Sequence, residues 1–202
     1  METMKTCAYC DNAAIYRDRE SGCWLCLPHA RFEIAGPRGK IPHPPVTIRP
    51  ATEIDQARLL ELANYFWHET EIECFDHVYQ VAEIPAYVAC DEHEIVGVAS
   101  YARQGDAINI VALHVAPRWQ GRGVASVLLC TLIDTARRED DVKQIVVATS
   151  NDNLLALGFY QRFGFVITGI LPGRVLEQHG GVEMIGFAGI PVRDEIQLAL
   201  RL

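Results

Sequence analysis

The chain has 202 residues, half of them hydrophobic, with a mean hydropathy of +0.07, which excludes intrinsic disorder and allows one sizeable core plus a small appended module. Its net charge of −8 is uneven: residues 1–45 carry six Lys/Arg against five Asp/Glu, and residues 46–202 carry twelve against twenty-one. An acidic body argues against nucleic-acid binding and suits cationic or amine partners, and with no apolar run near the ~20 residues that cross a bilayer, and no apolar leader segment, a cytoplasmic location without a membrane partner is expected. Solubility explains the same charge equally well.

Residues 1–35 hold two hooks, Cys7-x-x-Cys10 and Cys23-x-x-Cys26, twelve residues apart. Each hook turns two thiolates toward one point, and together they complete a tetrahedral sulfur shell for structural Zn2+. Disulfides would need a secretory context, and a redox pair would follow the strand of a thioredoxin-like unit, which the pattern lacks. His29 is spaced to replace or supplement a cysteine, but four thiolates suffice and it stays outside the set. Asp11-Asn12 and Ser21-Gly22 supply turns, and residues 13–17 read as a short strand of a zinc knuckle or ribbon. So small a module draws much of its folding free energy from the metal. Its Arg17, Arg19, Arg31, Arg38 and Lys40 are interleaved with acids, which favours a structural element or protein docking over nucleic acid. Cys74, Cys90 and Cys130 stand singly and read as core thiols. Residues 36–45, with four prolines and two glycines, form the linker to a domain over 46–202.

That domain opens with a strand at 46–51 and a helix at 53–68, with Leu59, Leu60, Leu62, Ala63 and Phe66 as its apolar stripe. Residues 69–84 read as a second short helix with loops. Strands follow at 86–91, 94–103 and 107–116, joined by short polar connections. A helix at about 123–138, a strand at 144–149, a helix at 154–163 and a strand at 165–170 complete an α/β pattern. The fold class is therefore α/β of an α+β-like kind, a mixed central sheet flanked by helices, with its parallel pair at the centre. A last strand is expected at 182–188, and residues 196–200 read equally as strand or helix.

Residues 113–126 carry the strongest chemical signal. They read as a strand end, a glycine-containing loop and the start of an apolar helix, whose unpaired N–H groups and positive end favour a phosphate or pyrophosphate. No lysine stands where a nucleotide P-loop needs one, and the Gly-x-Gly-x-x-Gly spacing of a dinucleotide fold is absent.

What stands here is Gln120-x-x-Gly123-x-Ala125, which resembles the Gln/Arg-x-x-Gly-x-Gly/Ala signature of the GNAT superfamily of N-acetyltransferases. Downstream, Asn153-x-x-Ala156-x-x-Phe159-Tyr160-x-x-x-Gly164-Phe165 is similar to a second pattern of that superfamily at every spacing. The resemblance covers residues 46–170. It implies direct transfer of an acetyl group from acetyl-CoA to an amine acceptor, small molecule or protein, in a ternary complex. It implies that the backbone at Leu113 and Val115 pairs with the pantetheine arm. It gives the pyrophosphate to Gln120, Gly121, Arg122, Gly123, Val124, Ala125 and Ser126, a second pantetheine contact to Asn153, and protonation of the leaving thiolate to Tyr160. Packing among Phe159 and Phe163 is the structural alternative for Tyr160. The region after the first helix covers the acceptor site in the superfamily.

Asn109 falls where histone-acetylating members place a glutamate base, and an asparagine cannot accept that proton. Glu69, Glu73, Asp76, Glu183, His114 or a water chain remain as bases. A catalytically silent acyl-CoA-binding module with a zinc-knuckle docking element is the alternative function.

Overall fold

The computed structural model describes residues 44–67, 70–92 and 94–202, together with the backbone of two short strands, β1 (Tyr16–Arg17) and β2 (Trp24–Leu25), which pair antiparallel. Cys7, Cys10, Cys23 and Cys26, and with them the zinc expectation, lie outside the described residues, as do Phe66 (side chain) and Glu69.

The elements then run β3 (Thr47–Pro50), α1 (Gln56–Trp67), β4 (Glu71–Cys74), β5 (His77–Gln80), β6 (Ala86–Cys90), β7 (Ile95–Gln104), β8 (Ala107–Val115) and α2 (Val124–Ala136). They continue with β9 (Gln144–Ser150), α3 (Leu154–Arg162), β10 (Val166–Leu171), α4 (Arg174–Gln178), β11 (Met184–Ile185), β12 (Pro191–Val192) and β13 (Glu195–Arg201). Seven strands form one mixed sheet in the order β10-β13-β9-β8-β7-β6-β3, whose parallel pair is β8 with β9, joined through α2.

Helices and a hairpin cover the two faces. Leu59 and Leu62 of α1 pack on Ala86, Val88, Ile95 and Val98. Leu60 is 37% exposed, because it falls outside the 59, 62, 63 stripe that faces the sheet. On the opposite face, α2 and α3 join one cluster in which Leu129, Leu132, Ile133, Tyr160 and Phe163 meet Ile108, Ile110, Ile145 and Val147. Arg49 and Asp55 tie β3 to the start of α1 with two guanidinium–carboxylate bonds of 2.7 and 2.8 Å, and these hydrogen bonds hold the Asp55 carboxyl well below the usual range.

Two expectations need correction, and one open alternative is decided. Residues 71–80 form an antiparallel hairpin rather than a helix, with Ile72 and Cys74 more buried than the alternating Glu71 and Glu73. Its turn places Phe75 and Asp76 at φ 51° and 59°, a conformation for which the sequence gives no glycine signal. Residues 182–188 yield only the two-residue β11 and a 3-10 turn, while 195–201 become a full interior strand between β9 and β10. Glu195, Leu198 and Ala199 are buried along it, and Ile196, Gln197 and Leu200 are half-buried.

Candidate active site

The parallel ladder between β8 and β9 stops early. Its last pair is Ile110 with Val147, and one residue later Val111 is a bulge, the extra residue between the pairs Ser100–Ala112 and Tyr101–Ile110. A bulge bends its strand and adds twist, so the C-terminal half of β8 swings away from β9. Ala116 N–H donates to the Val96 carbonyl of β7 at 2.8 Å. With a period of two, the backbone polar groups of His114 and Ala112 also face β7, and those of Leu113 and Val115 face the gap. Gln120 Nε2 donates to the Val115 carbonyl at 3.0 Å, so the free groups along the gap are both of Leu113 and the Val115 N–H.

The gap opens into a cavity of ≈ 330 Å³. Leu113, Val147, Ala148, Thr149, Asn153, Ala156 and Tyr160 line it from the strands and α3, and Ile72, Glu73 and Cys74 line it from the hairpin on the other face of the sheet. The splay thus holds a cavity lined from both faces of the sheet, with Tyr160 in its wall.

At the far end of β8, Gly121 and Gly123 adopt φ 71° and 87°, values that side chains with a Cβ rarely take. Gly123 caps α2 without a side-chain hydrogen bond, and the first helical bond runs from Val127 N–H to the Gly123 carbonyl. The N–H groups of Val124, Ala125 and Ser126 are left for an anion at the positive end of the helix. Arg122 is exposed with its guanidinium 5.3 Å above the Trp119 ring, which itself packs on the core.

Tyr160 is 6% exposed, edge-on to Phe159 and Phe165, each with ring centroids 5.3 Å away. Burial pushes its hydroxyl above the ordinary phenol range, so it keeps its proton. Asn153 caps α3 through its Oδ1, which accepts from Ala156 N–H at 3.1 Å, leaving Nδ2 as the donor toward the cavity. Asn109 is buried, and its Nδ2 donates to Tyr79 and Gln104 at 3.3 and 2.7 Å. It closes the base of the hairpin rather than lining the cavity.

Of the other bases considered, Glu73 lines the cavity and is held by Arg174 at 2.7 Å, and the same guanidinium reaches Asp76 at 3.0 Å. Glu183 is exposed and does not line the cavity. His114 is buried outside the cavity lining, and burial, with the Arg58 charge beside it, pushes its imidazole down to about 4. Unfolded chains gain a proton on His114 below pH ~6.5 that the folded chain refuses until about pH 4. Its contribution to stability is therefore present above pH ~6.5 and lost as the pH falls. Urea unfolding is expected to show a loss of roughly 2 kcal/mol between pH 7 and pH 5, flattened in His114→Gln. An equal slope in that variant would assign the loss to other groups.

Sequence reasoning passed over Glu195. It is 5% exposed, lines the cavity, and its Oε1 accepts from Gln197 Nε2 at 2.8 Å. The available signal was a charged residue opening a largely apolar strand. With Glu73 and Glu195 beside it, Cys74 is buried and its thiol is pushed up to about 12, first by burial and then by those two charges. It is a packed, protonated thiol.

Comparison with known proteins matches this geometry. The model of the acetyltransferase (GNAT) family matches residues 54–165. The L-amino acid N-acyltransferase MnaT of Escherichia coli is 28% identical over 145 residues, which span 63% of this chain and 83% of that protein. Among solved structures, an IAA acetyltransferase from Bacillus cereus is 27% identical with a TM-score of 0.61, covering 78% of this chain and 99% of its own. A GNAT family acetyltransferase from Elizabethkingia anophelis, determined with acetyl-CoA bound, shares the fold at 24% identity and a TM-score of 0.60, covering 79% and 99% of the two chains. No helix among the described residues is long and apolar enough to cross a membrane.

Proposed function

The chain belongs to the acetyltransferase (GNAT) family, and from that premise we propose that its cavity moves an acetyl group from acetyl-CoA to an amine acceptor by direct attack in a ternary complex. The observation that carries this reading is the cavity at the splay of β8 and β9, lined from both faces of the sheet, with a buried protonated tyrosine in its wall. The pantetheine arm pairs with Leu113 and Val115 as a strand would. The pyrophosphate sits on the N–H groups of Gly121 to Ser126, with Arg122 at its edge and Gln120 bracing the loop against Val115. Asn153 Nδ2 holds the arm from α3. Holding thioester and amine within one cavity converts a bimolecular encounter into an intramolecular one. The amine attacks the carbonyl carbon, the C–S bond breaks, and Tyr160 gives its proton to the sulfur. Titration of acetyl-CoA by calorimetry, followed by thiol release against a panel of amines, tests the whole reading. Saturable binding with release supports it, and binding without release returns the silent acyl-CoA-binding module.

The N-terminal hooks carry a second proposal, structural Zn2+ on Cys7, Cys10, Cys23 and Cys26, supported by their spacing and by the β1–β2 pairing that reverses the chain between them. Metal analysis is expected to find ~1 zinc per chain. Chelation should make residues 1–35 protease-sensitive while acetyl-CoA affinity changes by less than about twofold, since the linker at 36–45 separates the two parts. Loss of acetyl-CoA binding on chelation would move the boundary.

A further inference from the structure

We propose that Glu195 receives the ammonium group of the acceptor, and that its carboxylate makes the cavity select amines with no carboxylate beside the nitrogen. The inference rests on the transferase reading above and names the acceptor class for the same cavity.

Two carboxylates line the cavity, and their surroundings differ. Glu73 is neutralised by Arg174, which it shares with Asp76. Glu195 is 5% exposed, accepts only the neutral Gln197 amide, and forms no ion pair among the described residues. A buried anion without a counter-charge is costly, so a cationic ligand is its natural partner. Among the described residues no Lys, Arg or His lines the cavity. Its remaining polar lining is neutral: Thr149, Ser150, Asn153, Tyr160, Gln178 and the protonated Cys74. Gln178 Nε2 is buried in this lining with no hydrogen-bond partner among the described residues, a donor left for a ligand oxygen. A substrate carboxylate placed beside the amine would face Glu195 without a lining cation to offset the repulsion.

Glu195 is also held in position before any ligand arrives. Asn151 Oδ1 accepts from Arg193 and Asp194 N–H at 2.8 and 3.0 Å, and Asp194 Oδ1 accepts from Gly173 N–H at 2.8 Å. The next residue enters β13 opposite Ser150 on one side and Leu171 on the other. In the reaction, the ammonium gives one proton to Glu195, which passes it to water. The freed nitrogen pair forms the C–N bond, and the C–S pair leaves on sulfur, which takes the Tyr160 proton. The second amine proton restores that hydroxyl, and one proton is released in all.

The test uses the full chain, thiol release, and three acceptors: butylamine, alaninamide and alanine. Wild type is expected to favour alaninamide over alanine at least tenfold in kcat/KM. Glu195→Gln should lose at least tenfold of kcat/KM for alaninamide and narrow the ratio, with acetyl-CoA Kd unchanged by calorimetry, and Glu195→Asp should fall between. Alanine equal to or better than alaninamide overturns the proposal alone. So does a Glu195→Gln enzyme with wild-type kcat/KM, or one that no longer binds acetyl-CoA, which would make the residue structural. Acetyl-CoA binding with no release for any of the three overturns the transferase reading and this proposal with it.

Discussion

Tyr160→Phe is expected to lower the turnover number for thiol release by roughly 100-fold or more, while acetyl-CoA Kd changes by less than about twofold. The substitution removes one oxygen and keeps the ring. Phe159 and Phe165 meet that ring edge-on, and a phenylalanine preserves both contacts, so thermal stability should move by no more than about 1 kcal/mol. The expected loss is therefore chemical. A coenzyme A thiolate departing into a cavity that the carboxylates of Glu73 and Glu195 line is poorly stabilised, and a proton delivered as the C–S bond breaks removes the developing charge. Because burial raises the Tyr160 hydroxyl above its ordinary range, the wild type should show no basic fall in turnover from its ionisation between pH 7 and pH ~10. Steady-state thiol release, calorimetry and a thermal melt on the same preparation separate the roles. Turnover within threefold of wild type would mean that the thiolate leaves unaided. A large drop in melting temperature would make Tyr160 a packing residue.

How far the site was legible follows from what kind of interaction forms each part. The anion loop and α3 are local: Gly121, Gly123 and Asn153 act through their own backbone or cap, so short spacings announce them. The alternation of the central strands is equally local, and the elements from β6 to β10 stand within a residue or two of the sequence boundaries. The acceptor side is assembled from distant segments. The hairpin at 71–80, α4 and Glu195 meet only because Arg174 reaches back to Glu73 and because β13 inserts between β9 and β10. Neither contact has a signature within a window of a dozen residues. The hairpin turn hid for a different reason, since Phe75 and Asp76 hold positive φ where glycine or asparagine would have announced it. The bulge at Val111, which opens the gap, is one unpaired residue in an apolar run and leaves no compositional trace.

Gly97→Val is expected to destabilise the protein by about 1–3 kcal/mol and to weaken acetyl-CoA binding at least tenfold, although residue 97 lies on a strand and outside the phosphate loop. Strand propensity alone points the other way, since valine suits a strand better than glycine by up to ~1 kcal/mol. Packing decides the sign. A Cβ at position 97 would sit 2.9 Å from Val124 Cγ1, 3.1 Å from Leu128 Cδ1 and 3.4 Å from the His114 carbonyl oxygen. Val124 and Leu128 are fully buried side chains of the first two turns of α2, so they have no free space to retreat into. The helix must lift from β7, and the part that lifts is the end whose N–H groups await the pyrophosphate. Gly97→Ala asks less, a few tenths of an ångström from the Val124 methyl, and should fall between wild type and Val on both scales. The pair of readouts distinguishes the cause. Destabilisation with unaltered Kd would show that the loop keeps its geometry independently of the helix seat, and a Gly97→Val protein as stable as wild type would show that α2 is not pressed against the sheet here. Loss of both in the order Ala then Val is the outcome that ties the anion site to the one position where the sheet lacks a side chain under α2.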